Sequence, residues 1–512
     1  MSTVPCQSFS RSAGWITTEP CTATQPYVPT NLAAPETPPL QQVPQHVYQF
    51  ARLIPVNEEA RVAVEATART NVEHHRKFIG ETIWDNRATK CFSLSLNTLP
   101  EFPQIGWRIG RGCRKLRNGG VDLLLYVADE GHVDRVAGLH ARFNWVKGAG
   151  GFFLISDNEN KRVVVNGEPF RADKRLIYEP RNDILIGGCF FTLQYVNRTH
   201  REEGYFQAKL AQVFRQFHHD ENPLILSTPE NYGRFGNWIV QYPISKGAFG
   251  IVYMVVHFRT GYPAAAKRIF KSRRNAPSVD REMEMTRRIS QVAHRRIVSA
   301  LAIINQPAQG KAEIARMRSL LDETWEPIIT DEYIIISPLS NATFRSIYTS
   351  DVSLEGRIIF FAQLLDAVAF LHSHGIWHRD IKPDNVLVRT YDPPDAMLTD
   401  FGCASDNPSI LYDHPGTVPY LAPEQVEGQR HGRAVDYWSC GIVGWELFEK
   451  RSVRERIWPG QDLVYYHQRL ESSDSPLARC ARAMLVEDPN LRMTAADALP
   501  FFNHLQGSRA YP

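Results

Sequence analysis

The chain has 512 residues, of which 43% are hydrophobic and 22% charged, and it carries a net charge of +3. That composition supplies core material for two or more globular domains and excludes a chain dominated by disorder. The charge is too small to drive binding to nucleic acid or to an anionic membrane surface, so neither is expected as a direct partner.

Residues 1 to about 45 are rich in Pro, Thr, Ser and Gln, with Arg11, Glu19 and Glu36 as their only charges, and read as a disordered tail. No charged leader followed by an apolar stretch opens the chain, so no secretory signal is expected. Residues 48–198 read as β-rich. The runs GWRIGR, VDLLLYVA, HARFNWV, GFFLIS, RVVVNG, DILIGG and FFTLQYV alternate with Asn-Gly and Gly-Gly punctuation, which suggests a β-sandwich. The polar stretch NEEARVAVEATARTNVEHHRKFIG has helical periodicity and predicts an inserted helical segment at about 57–100. Residues 199–236 are charged and mixed and read as a linker containing a connecting helix. From 237 to 505 strands give way to long helical patterns, the arrangement of an α+β unit. The most apolar long run, IIFFAQLLDAVAFL, carries Gln363 and Asp366 and is too short to span a bilayer. Eight cysteines (Cys6, Cys21, Cys91, Cys113, Cys189, Cys403, Cys440 and Cys480) are scattered with no pair at zinc-ligand spacing, and read as reduced thiols.

The segment ISKGAFGIVYMVV places Gly247 and Gly250 in a turn between two strands, where missing Cβ atoms let backbone N–H groups approach phosphate oxygens. A plain hairpin explains that turn equally well. Lys267 lies inside an apolar strand-like run. Fifteen residues on, Glu282 shares a helix face with Met285, Ile289 and Val292, which puts it in reach of Lys267; Glu284 on the polar face is the second choice. The segment HRDIKPDN places Asp380, Lys382 and Asn385 immediately after an apolar helix, and TDFG places Asp400 fifteen residues after Asn385. Two oxygen-bearing side chains, Asn385 and Asp400, each beside a strand-like segment, suit a hard divalent cation.

Together these segments resemble the eukaryotic protein kinases, over about residues 237–505. The resemblance implies a bilobal α+β kinase fold and a Ser/Thr protein kinase that uses ATP and Mg²⁺. It implies that Ser245 (in place of the first loop glycine), Gly247, Gly250 and Val252 form the phosphate loop, and that Lys267, paired with Glu282, holds the phosphates. The backbone of Ser337 and Leu339 would take the adenine, beyond Ile336 at the gatekeeper position. Asp380 would accept the substrate hydroxyl proton, Lys382 would neutralise charge on the moving phosphoryl group, and Asn385 and Asp400 would ligate the metal. GTVPYLAPE, with Thr417 and Glu424, resembles the end of an activation segment. Asp436 would brace the catalytic loop, and Arg492 would pair with Glu424. Two departures from the family are Thr286, where an apolar residue is usual, and the long stretch 306–331. Ser405, Ser409 and Tyr412 are candidate regulatory phosphoacceptors, with Arg379 as the cation to grip the phosphate. Asp384 suggests a preference for basic residues upstream of the target hydroxyl. A pseudokinase scaffold is the alternative, against which Lys267, Asp380 and Asp400 are all retained.

The earlier runs RIGRGCRKL, LHARF, VVVNGEPF and NDILIGGCFF resemble an FHA domain, an all-β sandwich that binds phosphothreonine. The resemblance implies a phosphate contact from Arg111, next to Gly110, a recognition role for Asn160 and a structural His140. Ala137 stands where the family has Ser, and Asn182 where Gly precedes Asp. The module is therefore expected either to bind a phosphothreonine partner or to serve in docking and self-association. FHA followed by kinase resembles the checkpoint and meiotic kinases of fungi and animals, which implies nuclear residence, with the cytoplasm as alternative.

Overall fold

The computed structural model describes residues 43–113, 120–125, 136–146, 151–156, 158–218, 233–247, 250–272, 275–307, 329–340, 342–407, 416–453 and 463–503. The expected tail lies outside these up to residue 42. From Val43 onward the chain is already built in, because a turn at Gln45–Tyr48 buries Val47 and Tyr48.

The first half is a two-layer sandwich. Its strands are β1 (Gln49–Pro55), β2 (Ile79–Trp84), β3 (Arg87–Ser95), β4 (Trp107–Gly110), β5 (Leu123–Leu124), β6 (Ala141–Trp145), β7 (Phe152–Ser156), β8 (Val163–Val165), β9 (Glu168–Phe170), β10 (Asp173–Leu176), β11 (Arg181–Ile186) and β12 (Cys189–Tyr195). One sheet runs β2-β3-β1-β12-β11-β8-β9 and the other β10-β7-β6-β4-β5. Alternation specifies the inner face: along β11, Asn182, Ile184 and Ile186 are buried while Arg181, Asp183 and Leu185 face out. Aromatic rings fill the space between the sheets, with Phe50 edge-on to Trp107 at 5.6 Å and to Phe152 at 5.0 Å.

Two expectations change here. Of residues 57–100, only α1 (Glu58–Arg69) and α2 (Glu73–Arg76) are helical; β2 and β3 form a hairpin. Asp85 and Asn86 both take positive φ, 48° and 59°, the backbone that a two-residue hairpin turn needs. Helix α1 is capped by Asn57, whose side-chain Oδ1 accepts from the Ala60 N–H. The hydroxyl of Thr67 donates to the Leu124 carbonyl at 2.7 Å, which covers the edge of the second sheet. The stretch 199–236 is not all linker. Helix α3 (His200–Val213) starts at a Thr199/Glu202 capping box and lays Tyr205, Phe206, Leu210 and Val213 into the sandwich core. Its apolar stripe is what the charged composition concealed.

The second half opens with a sheet ordered β13-β14-β15-β16-β18-β17: β13 (Arg234–Phe235), β14 (Trp238–Gly247), β15 (Gly250–His257), β16 (Pro263–Ser272), β17 (Ala302–Pro307) and β18 (Ile329–Pro338). Helix α4 (Ala276–Gln291) packs beneath it through Val279 and Met283 against Ile269 and Ile335. The stretch 306–331 lies largely outside the described residues. Below follows a helical lobe. Its core is built on α6 (Leu354–Ser373) and α8 (Ala434–Glu449), both hydrophobic nearly all round, as central buried helices are. The short strand β19 (Ala342–Thr343) and α5 (Phe344–Ile347) precede α6, and between α6 and α8 come the hairpin β20 (Val386–Thr390) and β21 (Asp395–Leu398), and α7 (Pro423–Val426). The helices α9 (Leu463–Leu470), α10 (Pro476–Met484) and α11 (Ala495–Ala498) close the lobe. Among the described residues no helix is long and apolar enough to cross a membrane.

The two halves share an apolar seam. Phe153 and Leu176 of the sandwich pack with Ile239, Met254, Val256 and Phe258 of the upper sheet, and all six are buried. The Leu176 N–H donates to the Phe258 carbonyl at 3.2 Å. Cross-strand register puts Met254 and Val256 on the Lys267 side of the sheet, because Met254 pairs with Ala265 and Val252 pairs with Lys267. Leu339 borders the same cluster. If this seam couples the halves, Leu176→Asp should accelerate amide exchange at residues 254–258, some eighty positions away in sequence, as well as in β10; unchanged protection in β15 would show that it does not.

Candidate active site

The turn at the end of β14 is closed by Gly247 pairing with Gly250 and Ser245 pairing with Val252; its tip, 248–249, lies outside the described residues. Glycine at 250 has a steric cause: a Cβ there would meet the Arg268 carbonyl oxygen at 2.0 Å. Val252 faces Lys267 across the ladder. Ile335 also pairs with Lys267. Ile336 pairs with Ala266 and packs with Ala264 and Val255 on the opposite face. The cause is the two-residue alternation of β18, which one position reverses. Ser337 pairs with Ala265 at the end of the same strand.

Lys267 donates to Glu282 Oε1 at 2.8 Å and to Asp400 Oδ1 at 2.7 Å, so a helix of the upper lobe and a loop of the lower one share one ammonium. Burial works against its charge, but the carboxylates of Asp400 and Glu282 outweigh it and hold the ammonium above its ordinary range. Burial likewise raises the Asp400 carboxyl, and Lys267 more than reverses this, bringing it to about 2. Glu284, the second choice for the pair, is exposed.

The lower site is one hydrogen-bonded loop. Asp380 accepts from Lys382 Nζ at 2.7 Å on Oδ2 and from the Thr417 hydroxyl at 2.8 Å on Oδ1. Lys382 also reaches Thr417 Oγ1 at 2.8 Å. Asn385 turns its amide NH₂ to the Asp380 carbonyl at 2.8 Å and to Oδ2 at 3.0 Å, which leaves its own carbonyl oxygen as an acceptor on the other side. The loop is held from below by Asp436, which has no exposed surface. Asp436 accepts the backbone N–H of His378 at 2.8 Å and of Arg379 at 2.7 Å, and contacts His372 Nε2 at 2.8 Å. Arg379 and Asp400 both adopt positive φ, 63° and 65°, a cost for non-glycine residues that these anchors offset. The Arg379 side chain is buried and donates from Nε to the Cys403 carbonyl at 2.9 Å. Ser405 is also buried, its backbone paired in both directions with Trp377, so this conformation does not present it as a phosphoacceptor. Ser409 and Tyr412 lie outside the described residues.

Glu424 and Arg492 form a buried, two-pronged pair at 2.6 and 2.7 Å, with the guanidinium over Trp438. Sequence reading missed a second polar cluster nearby. Arg345, on α5, grips Asp384 with Nε at 2.9 Å and Nη2 at 2.5 Å, and donates from Nη1 to Ser452 at 2.8 Å. Glu446 lies beneath, fully buried, accepting from the hydroxyls of Tyr348 at 2.8 Å and Tyr420 at 3.1 Å. No motif announces Arg345, because its partner is 39 residues away.

In the sandwich, Arg111 follows β4 and is exposed, and Asn160 is exposed in the loop between β7 and β8. His140 ties their surroundings together: its Nδ1 accepts from the Ala137 N–H at 3.3 Å and its Nε2 meets the Arg162 carbonyl at 3.4 Å. Burial holds its pKa down, consistent with a neutral ring. Gly110 has the loop against it, since a Cβ would meet the Gly138 carbonyl oxygen at 2.3 Å. Asn182 is fully buried and binds the Glu179 backbone and Asn166.

An upper sheet with one helix, set over a helical lobe, with Lys267, Asp380, Asn385 and Asp400 at their junction, has the organisation of a phosphotransferase cleft. The family described as Protein kinase domain matches residues 238–502, slightly over half of the chain. The chain belongs to the protein kinase family, and its kinase domain is of the serine/threonine class. It is 28% identical over 287 residues to serine/threonine-protein kinase RAD53 of Saccharomyces cerevisiae, covering 51% of this chain and 32% of that protein. Over 282 residues it is 27% identical to calcium/calmodulin-dependent protein kinase cmkB of Emericella nidulans, covering 51% and 64%. Serine/threonine-protein kinase grp of Drosophila melanogaster is 25% identical over 283 residues, covering 51% and 49%. The chain thus spans from 32% to 64% of these relatives' lengths.

Burial pushes the Glu446 carboxyl up to about 7, while an unfolded glutamate releases its proton near 4.5. The native state therefore binds the extra proton across that window, and stability falls as pH rises through it, by up to about 3 kcal/mol. Denaturation of Glu446→Gln should lack this slope between pH 5 and 7; a slope equal to wild type would assign it to other groups.

Proposed function

We propose that this protein is an active Ser/Thr protein kinase that transfers the γ-phosphoryl group of ATP to protein hydroxyls. The observation that carries this reading is the placement of Thr417 Oγ1 and Lys382 Nζ on the two oxygens of Asp380. A carboxylate so placed is ready to accept a hydroxyl proton, and Thr417 shows that an alcohol fits against it. Lys382 sets a positive charge where negative charge would gather on the transferred group. Lys267, fixed by Glu282, is positioned to hold the α- and β-phosphates from the upper side, and the Ser245–Val252 hairpin to cover them. The carbonyl oxygen of Asn385 and the carboxylate of Asp400 form a hard oxygen pair suited to Mg²⁺, which when bound supplies charge neutralisation along the phosphates. The backbone of Ser337 and Leu339 would take the adenine. The retention of Lys267, Asp380 and Asp400 in mutual register weighs against a scaffold without catalysis.

The sandwich is assigned, on the same footing, to an FHA-like module. Arg111 and Asn160 stand exposed on loops that His140 links, a place where a phosphate could meet a guanidinium. Partners would be protein substrates and a phosphothreonine-bearing protein or a second copy of the chain. An FHA-like module followed by a kinase supports a role in checkpoint or meiotic signalling, and residence in the nucleus is part of the same reading.

Transfer of ³²P from ATP to a basic carrier protein should be robust for wild type. It should fall by about 10²-fold or more for Asp380→Ala, with nucleotide affinity little changed. Equal traces for the two would sink the catalytic reading. In fluorescence binding, a phosphothreonine peptide should outcompete its unphosphorylated twin, and Arg111→Ala should weaken it by about tenfold or more, the worth of one charge-assisted hydrogen bond. Equal affinity for both peptides would reassign the sandwich to phosphate-independent docking.

A further inference from the structure

The Asp380–Asn385 loop carries a second carboxylate, Asp384, four residues after the proposed proton acceptor. A peptide presenting its hydroxyl to Asp380 extends about 3.3 Å per residue, so its near neighbours pass over this surface. An uncommitted carboxylate there would attract lysine or arginine on the substrate. Asp384 is committed. Both of its oxygens are taken by Arg345 in a two-pronged pair, and the guanidinium is itself fixed by Ser452 and by Tyr420 Oη at 3.5 Å. The pair is one-third open to solvent, with side-chain exposures of 35% and 36%, so a passing substrate meets a neutralised ion pair. The neighbouring carboxylate, Glu446, offers no alternative, because it is fully buried under Tyr348 and Tyr420 and accepts the Val453 N–H.

We infer that Arg345 is a specificity-determining residue: by occupying Asp384 it withdraws that carboxylate from substrates, so that the enzyme gains nothing from basic residues flanking the target hydroxyl. This inference departs from the expectation drawn from Asp384 alone, and it rests on the kinase reading above. Arg345 acts through Asp384 and not on the phosphoryl group, so its removal alters the ranking of substrates more than the turnover of a neutral one.

The test uses the full chain and a set of serine peptides with neutral flanks, each with one arginine at a position from three before to three after the serine. Wild type should give kcat/KM ratios, arginine peptide over neutral peptide, near or below one at every position. Arg345→Ala should raise the ratio about fivefold at one or two positions, the size of one partly exposed charge pair, mainly through KM. The double variant Arg345→Ala/Asp384→Asn should return it to the wild-type value. A wild-type preference for arginine at any position overturns the inference, whatever the variants do. So does an Arg345→Ala profile that matches wild type; should that variant melt early, Arg345→Gln takes its place. Absence of transfer to every peptide and to the carrier protein by wild type would instead bring down the kinase reading itself.

Discussion

One carboxylate without a drop of solvent, Asp436, sets the geometry of the lower site. Its two oxygens take the amide protons of successive residues, His378 and Arg379, and meet the His372 ring. Amides fixed in that way define the direction in which the chain leaves, and Arg379 is held in a left-handed conformation that sterics alone would reject. From there the path to Asp380, Lys382 and Asn385 is short. His378 carries the constraint sideways, since its Nε2 meets the Thr399 carbonyl at 2.9 Å, next to Asp400. A buried anion so surrounded is expensive to expose, which makes it a firm support for a loop otherwise made of polar, solvent-seeking side chains.

The upper half of the site depends on a more exchangeable contact. Lys267 divides its protons between Glu282 on α4 and Asp400 below. Helix α4 is anchored on the sheet by Val279 and Met283 and on the helical lobe's core by Met285 and Ile289, so a shift of the helix would carry Glu282 away from the ammonium. The position of one helix and the charge state of Asp400 are thus linked through a single side chain. The apolar seam with the sandwich bears on the same sheet face, by way of Met254 and Leu339.

Motifs whose residues are neighbours in sequence were readable before any fold was known. HRDIKPDN and TDFG carry their chemistry at fixed local spacing, and Lys267–Glu282 followed from helix periodicity. Alternation disclosed most strands of the sandwich. The β2–β3 hairpin was hidden because its faces are only weakly polarised, with Ile83 exposed and Lys90 half-buried. Helix α3 was legible as a helix, but its seat in the sandwich core was not, because its apolar stripe is diluted by charge. The register at Ile335 and Ile336 could not be read in a run of three isoleucines. Arg345 was invisible for a different reason: a surface arginine on a short helix has no signature, and only folding brings it to a carboxylate from another element.

The seam also separates two notions of a domain. By sequence, the kinase region begins near residue 237, and an excised piece starting there would retain every group of the cleft. It would also uncover Met254, Val256 and Phe258, which the sandwich now covers with Phe153 and Leu176. Such a piece would present a sticky hydrophobic ledge beside its nucleotide cleft, prone to self-association and to detergent-like ligands. The unit that is soluble in its own right is therefore longer than the unit that does the chemistry.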